Sequence, residues 1–411
     1  MIYQALASKK TLTHLTLKFP SNRIPRPTVI LPPNPSLRYL HVYDIDPLCY
    51  PDDISLLLAN AVNLQEIKME WNPRMRRERE PSVSLRSYFG RAASANVRLP
   101  IKRLSYKNMY SRNDEELFLA VMNAAKLEEV TFLNCVNPGD PSTVFIDETW
   151  RGSHHGFARL QRLKKLRIDV ADEGMAQALV EISGLEEFYL VDRCAATSRS
   201  NSNSVNGLPA LTTSSSAAVA KSGDANASNS TSVSPTTPHY QQPASISLGS
   251  ELVAALSAHH GHSLRILLLS DQWKLGKEVL SHLTKSCPNL CQLGVAIDGE
   301  QFQTLKAILP FCQKLFALRV LEEFGMHAII MEKAREIRDA VPHAQVEIMG
   351  REVWKQEYKN VRYFALGPMA FEFGRTIEYG QGEVKRRIVK YLTWDEAKKK
   401  AEIFGMDSLD I

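Results

Sequence analysis

The sequence predicts an α/β fold, a solenoid or horseshoe of about ten strand-helix units with a C-terminal α+β cap. Three observations predict it. The pattern apolar-x-x-apolar-x-apolar recurs ten times in 411 residues. Its first positions stand 25, 27, 37, 26, 36, 22, 79, 26 and 25 residues apart, a shared period with three visible insertions. Segments with the three-and-four spacing of amphipathic helices lie between them. Stacking such units buries apolar stripes that one unit alone leaves in water. An ordinary α/β domain also alternates strand and helix, but its strands read as continuous apolar runs. Here charges intervene, as in Leu64-Gln65-Glu66-Ile67-Lys68-Met69.

In chain order, the strands are expected at Leu12/Leu15/Leu17, Leu37/Leu40/Val42, Leu64/Ile67/Met69, Ile101/Leu104/Tyr106, Leu127/Val130/Phe132, Leu163/Leu166/Ile168, Leu185/Phe188/Leu190, Leu264/Leu267/Leu269, Leu290/Leu293/Val295 and Leu315/Leu318/Val320. Helical faces are carried by Ile54, Leu57, Leu58, Ala61 and Val62, by Leu117, Val121, Met122, Ala124 and Ala125, and by Val279, Leu280 and Leu283. Cys287 and Cys312 stand three residues before a first anchor, where Ala61 and Ala124 stand in other units. That position takes a small apolar side chain, so these cysteines are read as packing residues.

The 79-residue interval contains 196–248, a Ser/Thr/Asn-rich stretch with almost no charge. Such a stretch cannot bury enough apolar surface to offset its ordering entropy, and it is read as a disordered insert. Without its 53 residues the interval is 26, so the insert lies within one repeat. Ser234-Pro235 and Thr237-Pro238 fit proline-directed phosphorylation, a pattern that chance also produces in such composition. Two shorter insertions leave the same end of their strands and are placed on one rim of the array. One runs from Trp71 through Arg74 and Arg76 to Pro81; the other runs from Asn134 to about Phe157 and includes Trp150. The arginine loop either engages an acidic partner or is simply solvated.

After Val320 a helix is expected over 327–341 and a last strand at Val346-Glu347-Ile348. The solenoid is thus assigned 1–349 and the cap 350–411. Within the cap, Tyr363–Phe373 and Arg387–Tyr391 read as strands around a Gly380-Gln381-Gly382 turn. Thr393-Trp394-Asp395-Glu396 reads as a capping box opening a helix that stops at Gly405.

Residues between the apolar anchors point to the concave surface. Early units place His14 and Thr16, Tyr39 and His41, Glu66 and Lys68, Arg103 and Ser105, Glu129 and Thr131, and Lys165 and Arg167 there. Late units place Tyr189 and Val191, Ile266 and Leu268, Gly294 and Ala296, and Ala317 and Leu321 there. The face therefore turns from polar to apolar along the chain. An apolar patch on a soluble protein is seldom left open, so either the tail, through Tyr363, Phe364, Phe371 and Phe373, or a partner is expected to cover it, the tail being favoured. The partner-binding candidates are His14, Tyr39, His41, Glu66, Lys68, Trp71, Arg74, Arg76, Arg103, Trp150, Lys165 and Arg167.

Composition, at 44% apolar and 23% charged, is that of a soluble globular chain. There is no apolar run long enough to cross a membrane and no signal-type start, so the chain is expected in the cytoplasm or nucleus. A net charge of +5 over this length does not argue for nucleic acid. Neither a phosphate-binding loop, a zinc-protease motif nor a nucleophile elbow is present. His259, His260 and His262 have no cysteine or carboxylate at ligand spacing. No cofactor, metal or catalytic group is therefore assigned, and the chain is read as no enzyme.

The period, Cys287-Pro288-Asn289-Leu290 and the Asn134-Cys135 strand closure resemble the leucine-rich-repeat arrays of F-box proteins. The tail, ending Ile403-Phe404-Gly405-Met406-Asp407-Ser408-Leu409-Asp410-Ile411, is similar to that of fungal members of the group. The resemblance implies a substrate-recognition subunit of a cullin-type ubiquitin ligase, with the repeats holding the target. The F-box itself is not seen before Leu12. The chain is then either a truncated product or a binding module without the ligase-docking part, and a cullin adaptor is a partner only if an upstream F-box exists. The alternative is a structural or regulatory interaction protein unconnected with ubiquitin. Either way, the partner is a protein on the concave face or rim loops, with no nucleic acid and no membrane.

Overall fold

In each recurring segment the second and third anchors are separated by one residue, so both fall on one face of an extended chain. All ten segments are strands, and they sit side by side in sequence order. In the computed structural model the described residues are 6, 8–19, 31–45, 52–72, 85–107, 121–133, 160–169, 171, 173–191, 246–271, 273–299, 301–321, 358–367, 369–379, 384–407 and 411. The strands are β1 (His14–Lys18), β2 (Tyr39–Ile45), β3 (Glu66–Trp71), β4 (Arg103–Lys107), β5 (Glu129–Leu133), β6 (Lys165–Ile168) and β7 (Glu187–Leu190), then β8 (Ile266–Leu268), β9 (Lys274–Leu275), β10 (Gln292–Ile297), β11 (Ala317–Leu321), β12 (Tyr363–Leu366), β13 (Met369–Tyr379) and β14 (Val384–Leu392). They form one open 14-stranded sheet in the order β1 to β8, then β10 to β14, with β9 pairing β10 at the side. Pairing is parallel as far as β12 and antiparallel for the last two pairs.

Among the described residues six helices connect the strands: α1 (Asp52–Asn60), α2 (Leu85–Ser94), α3 (Glu173–Glu181), α4 (Ile246–His260), α5 (Lys277–Ser286) and α6 (Gln301–Ile308). Their apolar sides and the anchors of the strands form one core, in which Leu40, Leu58, Ile67, Val130, Leu179, Leu267, Leu293 and Leu318 are fully buried. The position three residues before the first anchor is buried in this core, as Ala61, Cys287 and Cys312 show. Burial pushes both thiols up to about 12, so they are protonated packing groups. In the β8 unit the same position is Gly261. A Cβ there would press on the carbonyl oxygens of Ser286 and Ser257, which are backbone atoms and do not yield. Only glycine fits where α4 ends against α5.

One hydrogen-bond arrangement recurs at every step. The carbonyl of Thr13 accepts from both Arg38 and Tyr39, at 2.9 and 3.0 Å, and the carbonyl of Arg38 from both Gln65 and Glu66, at 2.8 and 3.0 Å. The same doubly used carbonyl follows at Gln65, Lys102, Glu128, Lys164, Glu186, Arg265, Cys291 and Phe316. A side-chain link adds to it. Asn63 donates to the Pro35 carbonyl (2.8 Å), Asn289 to His262 (2.7 Å) and Asn360 to Gln313 (2.9 Å), always from the residue before the first anchor.

Several expectations change. Asn360-Val361-Arg362-Tyr363-Phe364-Ala365-Leu366 is an eleventh match to the pattern, and β12 pairs with β11 in the parallel register of the others. Tyr363–Phe373 is therefore two strands, reversed at Gly367 (φ 53°), and the sheet runs on without a break past residue 350. The capping box is present, with Glu396 N–H donating to Thr393 Oγ1 and Thr393 N–H to Glu396 Oε2. The helix it opens, α7 (Trp394–Lys398), does not reach Gly405. Ala401 is extended and a 3₁₀ turn (Glu402–Phe404) follows, which lets Ile403 and Phe404 turn onto the sheet. Ile246–Leu248, assigned to the disordered insert, begin α4. The rest of 196–248, the helix at 327–341, the strand at 346–348, the Gly380–Gly382 turn and Asn134-Cys135 lie outside the described residues.

Two predictions follow from this packing. Gly261→Ala overpacks a backbone contact and should cost about 1–3 kcal/mol, read as a lower midpoint in urea unfolding. His260 is buried 1% exposed, with Nε2 donating to the Leu179 carbonyl (2.8 Å) and Nδ1 accepting from Leu185 N–H (3.3 Å). Burial holds its pKa below the ordinary 6.5, with His259 acting in the same direction and the bond to Leu179 opposing. A base whose folded pKa is depressed contributes stability that is complete above its unfolded pKa and is lost as pH falls through the folded value. The melting temperature should therefore fall as pH drops below about 6.5, and less steeply in His260→Gln, which removes the titration.

Candidate functional site

The sheet face turned away from α1–α6 carries two rows of side chains set by the strand register. The first row is His14, Tyr39, Glu66, Arg103, Glu129, Lys165, Glu187, Ile266, Gln292, Ala317 and Tyr363; the second is Thr16, His41, Lys68, Ser105, Thr131, Arg167, Tyr189, Leu268, Gly294, Arg319 and Ala365. The β7 pair on this face is Glu187 and Tyr189, not Tyr189 and Val191, because Glu187 stands opposite Lys165. Arg319 belongs to the face as well.

From β3 to β7 the first row alternates in sign: Glu66, Arg103, Glu129, Lys165, Glu187. The residues just before them run Gln65, Lys102, Glu128, Lys164, Glu186, and Arg265 continues that series. Opposite charges facing each other across neighbouring strands stabilise a sheet, and like charges there destabilise it. Lys102 meets Glu128 at 3.6 Å, Lys164 meets Glu186 at 2.9 Å and Lys165 meets Glu187 at 2.8 Å.

At the β1–β4 end Glu66, only 7% exposed, lies between His41 (2.8 Å) and Arg103, which also contacts it directly. Burial alone would raise its pKa; the hydrogen bonds from His41 and Arg103 outweigh this and hold the carboxyl below its usual range. Tyr39 stacks on His14 at 4.2 Å between ring centres and receives the Arg103 guanidinium at 5.7 Å. The next row adds the pair Lys107–Glu70 (2.7 Å) beside Tyr43, whose pKa is raised by burial and by Glu70 and Glu66. His14 and Arg103 are exposed, and Tyr39, His41 and Lys68 are half-buried. These side chains form an aromatic and charged surface.

At the other end the face is apolar and covered. Tyr189, Ile266, Leu268, Ala317, Tyr363, Ala365 and Ala370 form a second core with Leu392, Ala397, Ala401, Ile403 and Phe404, and Trp394 and Met406 pack at its edge. The tail is thus the cover, through Ile403 and Phe404. Phe364, Phe371 and Phe373, expected to do this, lie in the core on the helix side. The same alternation that puts Tyr363 on the covered face sends Phe364 to the other. Two guanidiniums hold the tail. Arg319 donates to the Ile403 carbonyl (2.8 Å) and pairs with Asp407 (2.7 Å) over the Trp394 ring, and Arg167 donates to the Met406 carbonyl (3.1 Å). Gln292 accepts from Ile403 N–H at 3.2 Å. Glu402 closes the edge, reached by Tyr189 Oη at 2.8 Å and Lys165 at 3.3 Å. Burial of Lys165 would lower its pKa, but Glu187 and Glu402 carry it above its usual value, and burial beside the same two carboxylates raises that of Tyr189.

Of the twelve candidate residues, the structure brings six together: His14, Tyr39, His41, Glu66, Lys68 and Arg103. Lys165 marks the boundary with the tail. Arg167 is 5% exposed and is occupied by Met406, so it is a clamp for the tail and not a surface contact. Trp71 is a correction: it ends β3 on the same side as Ile67 and Met69 and is 1% exposed in the main core. Arg74, Arg76 and Trp150 lie outside the described residues. Sequence reading missed Glu187 and Arg319, both of which the two-residue alternation would have placed. Among the described residues no group of three histidines, cysteines or carboxylates is placed to hold a metal ion. His260 is committed to two backbone groups. No helix among the described residues is long and apolar enough to cross a membrane. No protein-family model matches the chain, and comparison with curated proteins finds no match.

The cover generates a prediction. Phe404→Ala removes a fully buried ring from the second core and should cost about 3–5 kcal/mol locally, loosening 393–407 and raising fluorescence of a hydrophobic dye. Unchanged dye binding and unchanged amide exchange at 393–407 would show that the tail does not seal this face.

Proposed function

We propose that the chain is a leucine-rich-repeat solenoid that works as a non-catalytic protein-binding scaffold, with its partner on the concave face over β1–β5. The single observation behind this reading is the division of that face. The tail covers the apolar half, while the described residues leave open a half built of Tyr39, His41, Arg103, Lys68 and Glu66. Tyrosine and arginine held in place by neighbours are the side chains that most often dominate protein–protein binding energy. Alternating charge favours a protein partner over nucleic acid, because Glu66, Glu129 and Glu187 would each oppose phosphate. A protein partner also suits an array whose units differ in sign, since charge pattern selects among partners more than it adds affinity.

Within this class the form suggested by the resemblance to F-box proteins is substrate recognition for a cullin-type ubiquitin ligase, acting in the cytoplasm or nucleus. Co-purification of a cullin adaptor with the protein expressed from its own locus supports that form, and partners recovered without any adaptor favour a scaffold unconnected with ubiquitin. For the binding face itself, Tyr39→Ala and Arg103→Ala should each weaken capture of the partners recovered by the wild-type chain about tenfold or more, with the fold intact by circular dichroism. Equal recovery by both variants would remove the β1–β4 surface from the reading.

A further inference from the structure

We propose that the strip of this face over β4 and β5, between Lys68 and Glu129, takes an extended segment of a protein partner carrying one basic and one acidic side chain. The inference rests on the protein-binding reading and names the chemistry of the partner. Along the polar rows most charges are answered. Glu66 is answered by His41 and Arg103, Glu70 by Lys107, Lys18 by Asp44, and Lys165 by Glu187 and Glu402. Lys68 and Glu129 are the exceptions: among the described residues neither side chain makes a hydrogen bond or ion pair. Glu129 stands between Arg103 and Lys165 in the row, yet both cations are turned to other carboxylates.

The floor between these two charges is low. Ser105 and Thr131, both half-buried, follow Lys68 in the second row, and their side chains are the shortest polar ones on that part of the face. On one side Lys68 rises from β3. On the other, Arg167 on β6 is roofed by Met406, and Glu402 reaches Lys165, so the tail forms a wall. β3 and β6 are three strand spacings apart, roughly 14 Å, wide enough for one extended chain of about 10 Å thickness. The charges themselves are two spacings apart across the sheet and one residue pair apart along it, roughly 12 Å. An extended segment bridges that distance with charges three or four residues apart.

The chemistry assigns the polarity. A half-buried carboxylate without donors is costly, and burial pushes the pKa of Glu129 up even with two cations nearby. A guanidinium or ammonium from the partner supplies the missing donors, and a partner carboxylate answers Lys68. A phosphate backbone would gain Lys68 but meet Glu129, so this strip selects a peptide.

The test presents the full chain to a display library of random twelve-residue peptides and measures affinity for those enriched. The expected peptides carry Lys or Arg and Asp or Glu three or four residues apart. Glu129→Gln, an isosteric change that keeps the fold, should weaken them about tenfold. The double exchange Lys68→Glu with Glu129→Lys should enrich peptides of opposite charge order. Enriched peptides that lack the charge pair, or that bind Glu129→Gln equally well, overturn this site and leave the protein-binding reading standing. No enrichment by the wild-type chain sinks both.

Discussion

The fold depends on one carbonyl per unit being used twice. A backbone oxygen has two lone pairs, and at each step from Thr13 to Phe316 the carbonyl just before a strand accepts two successive N–H groups from the next unit. This places the start of each strand relative to the one before it. Because side chains alternate with a period of two, a slip of one residue would send every anchor to the outer face and every charge into the core. The doubly used carbonyl is therefore the point from which the two rows of the open face are aligned over eleven strands. Asn63, Asn289 and Asn360 secure the same junction from outside with a side-chain bond to the preceding unit.

Charge then reinforces what the backbone sets. Lys102-Arg103, Glu128-Glu129, Lys164-Lys165 and Glu186-Glu187 occupy equivalent places in four successive units, so any unit slipped by a whole repeat would meet its own sign. Each exposed pair contributes at most about 1 kcal/mol, so this alternation serves order and register more than stability. It also leaves the middle of the face without strong net charge, so Lys68 and Glu129 are the charges there whose side chains no described neighbour answers.

Much of this was legible in the sequence. All ten pattern matches are strands, and the polar-to-apolar change along the face was readable from the alternate positions. The eleventh match, Val361/Phe364/Leu366, escaped because it starts 46 residues after Leu315, well outside the period of its neighbours. Trp71 reads as a rim residue because it stands next to Asn72-Pro73, although Ile67, Met69 and Trp71 share one parity and hence one face. The way the tail covers the face was not readable at all. Ala401 to Met406 follow neither a period of two nor one of 3.6, and their placement is set by Arg167, Gln292 and Arg319, each more than 80 residues away in sequence.

Those three residues also explain why the face divides where it does. A buried guanidinium left without acceptors would cost several kcal/mol, and under the tail the backbone carbonyls of Met406 and Ile403, with the Asp407 carboxylate, meet Arg167 and Arg319. The arginines and the tail are thus mutually required: the tail buries Ile266, Leu268 and Ala317, and the arginines align its carbonyls above them. Where that apolar floor gives way to Glu187 and Lys165, the tail has nothing further to bury, and the cover stops at Lys165 and Glu402. The limit of the open surface is therefore a consequence of side-chain polarity in the sixth and seventh strands. The face over the first five strands is therefore polar and ends beside a wall that the protein supplies itself.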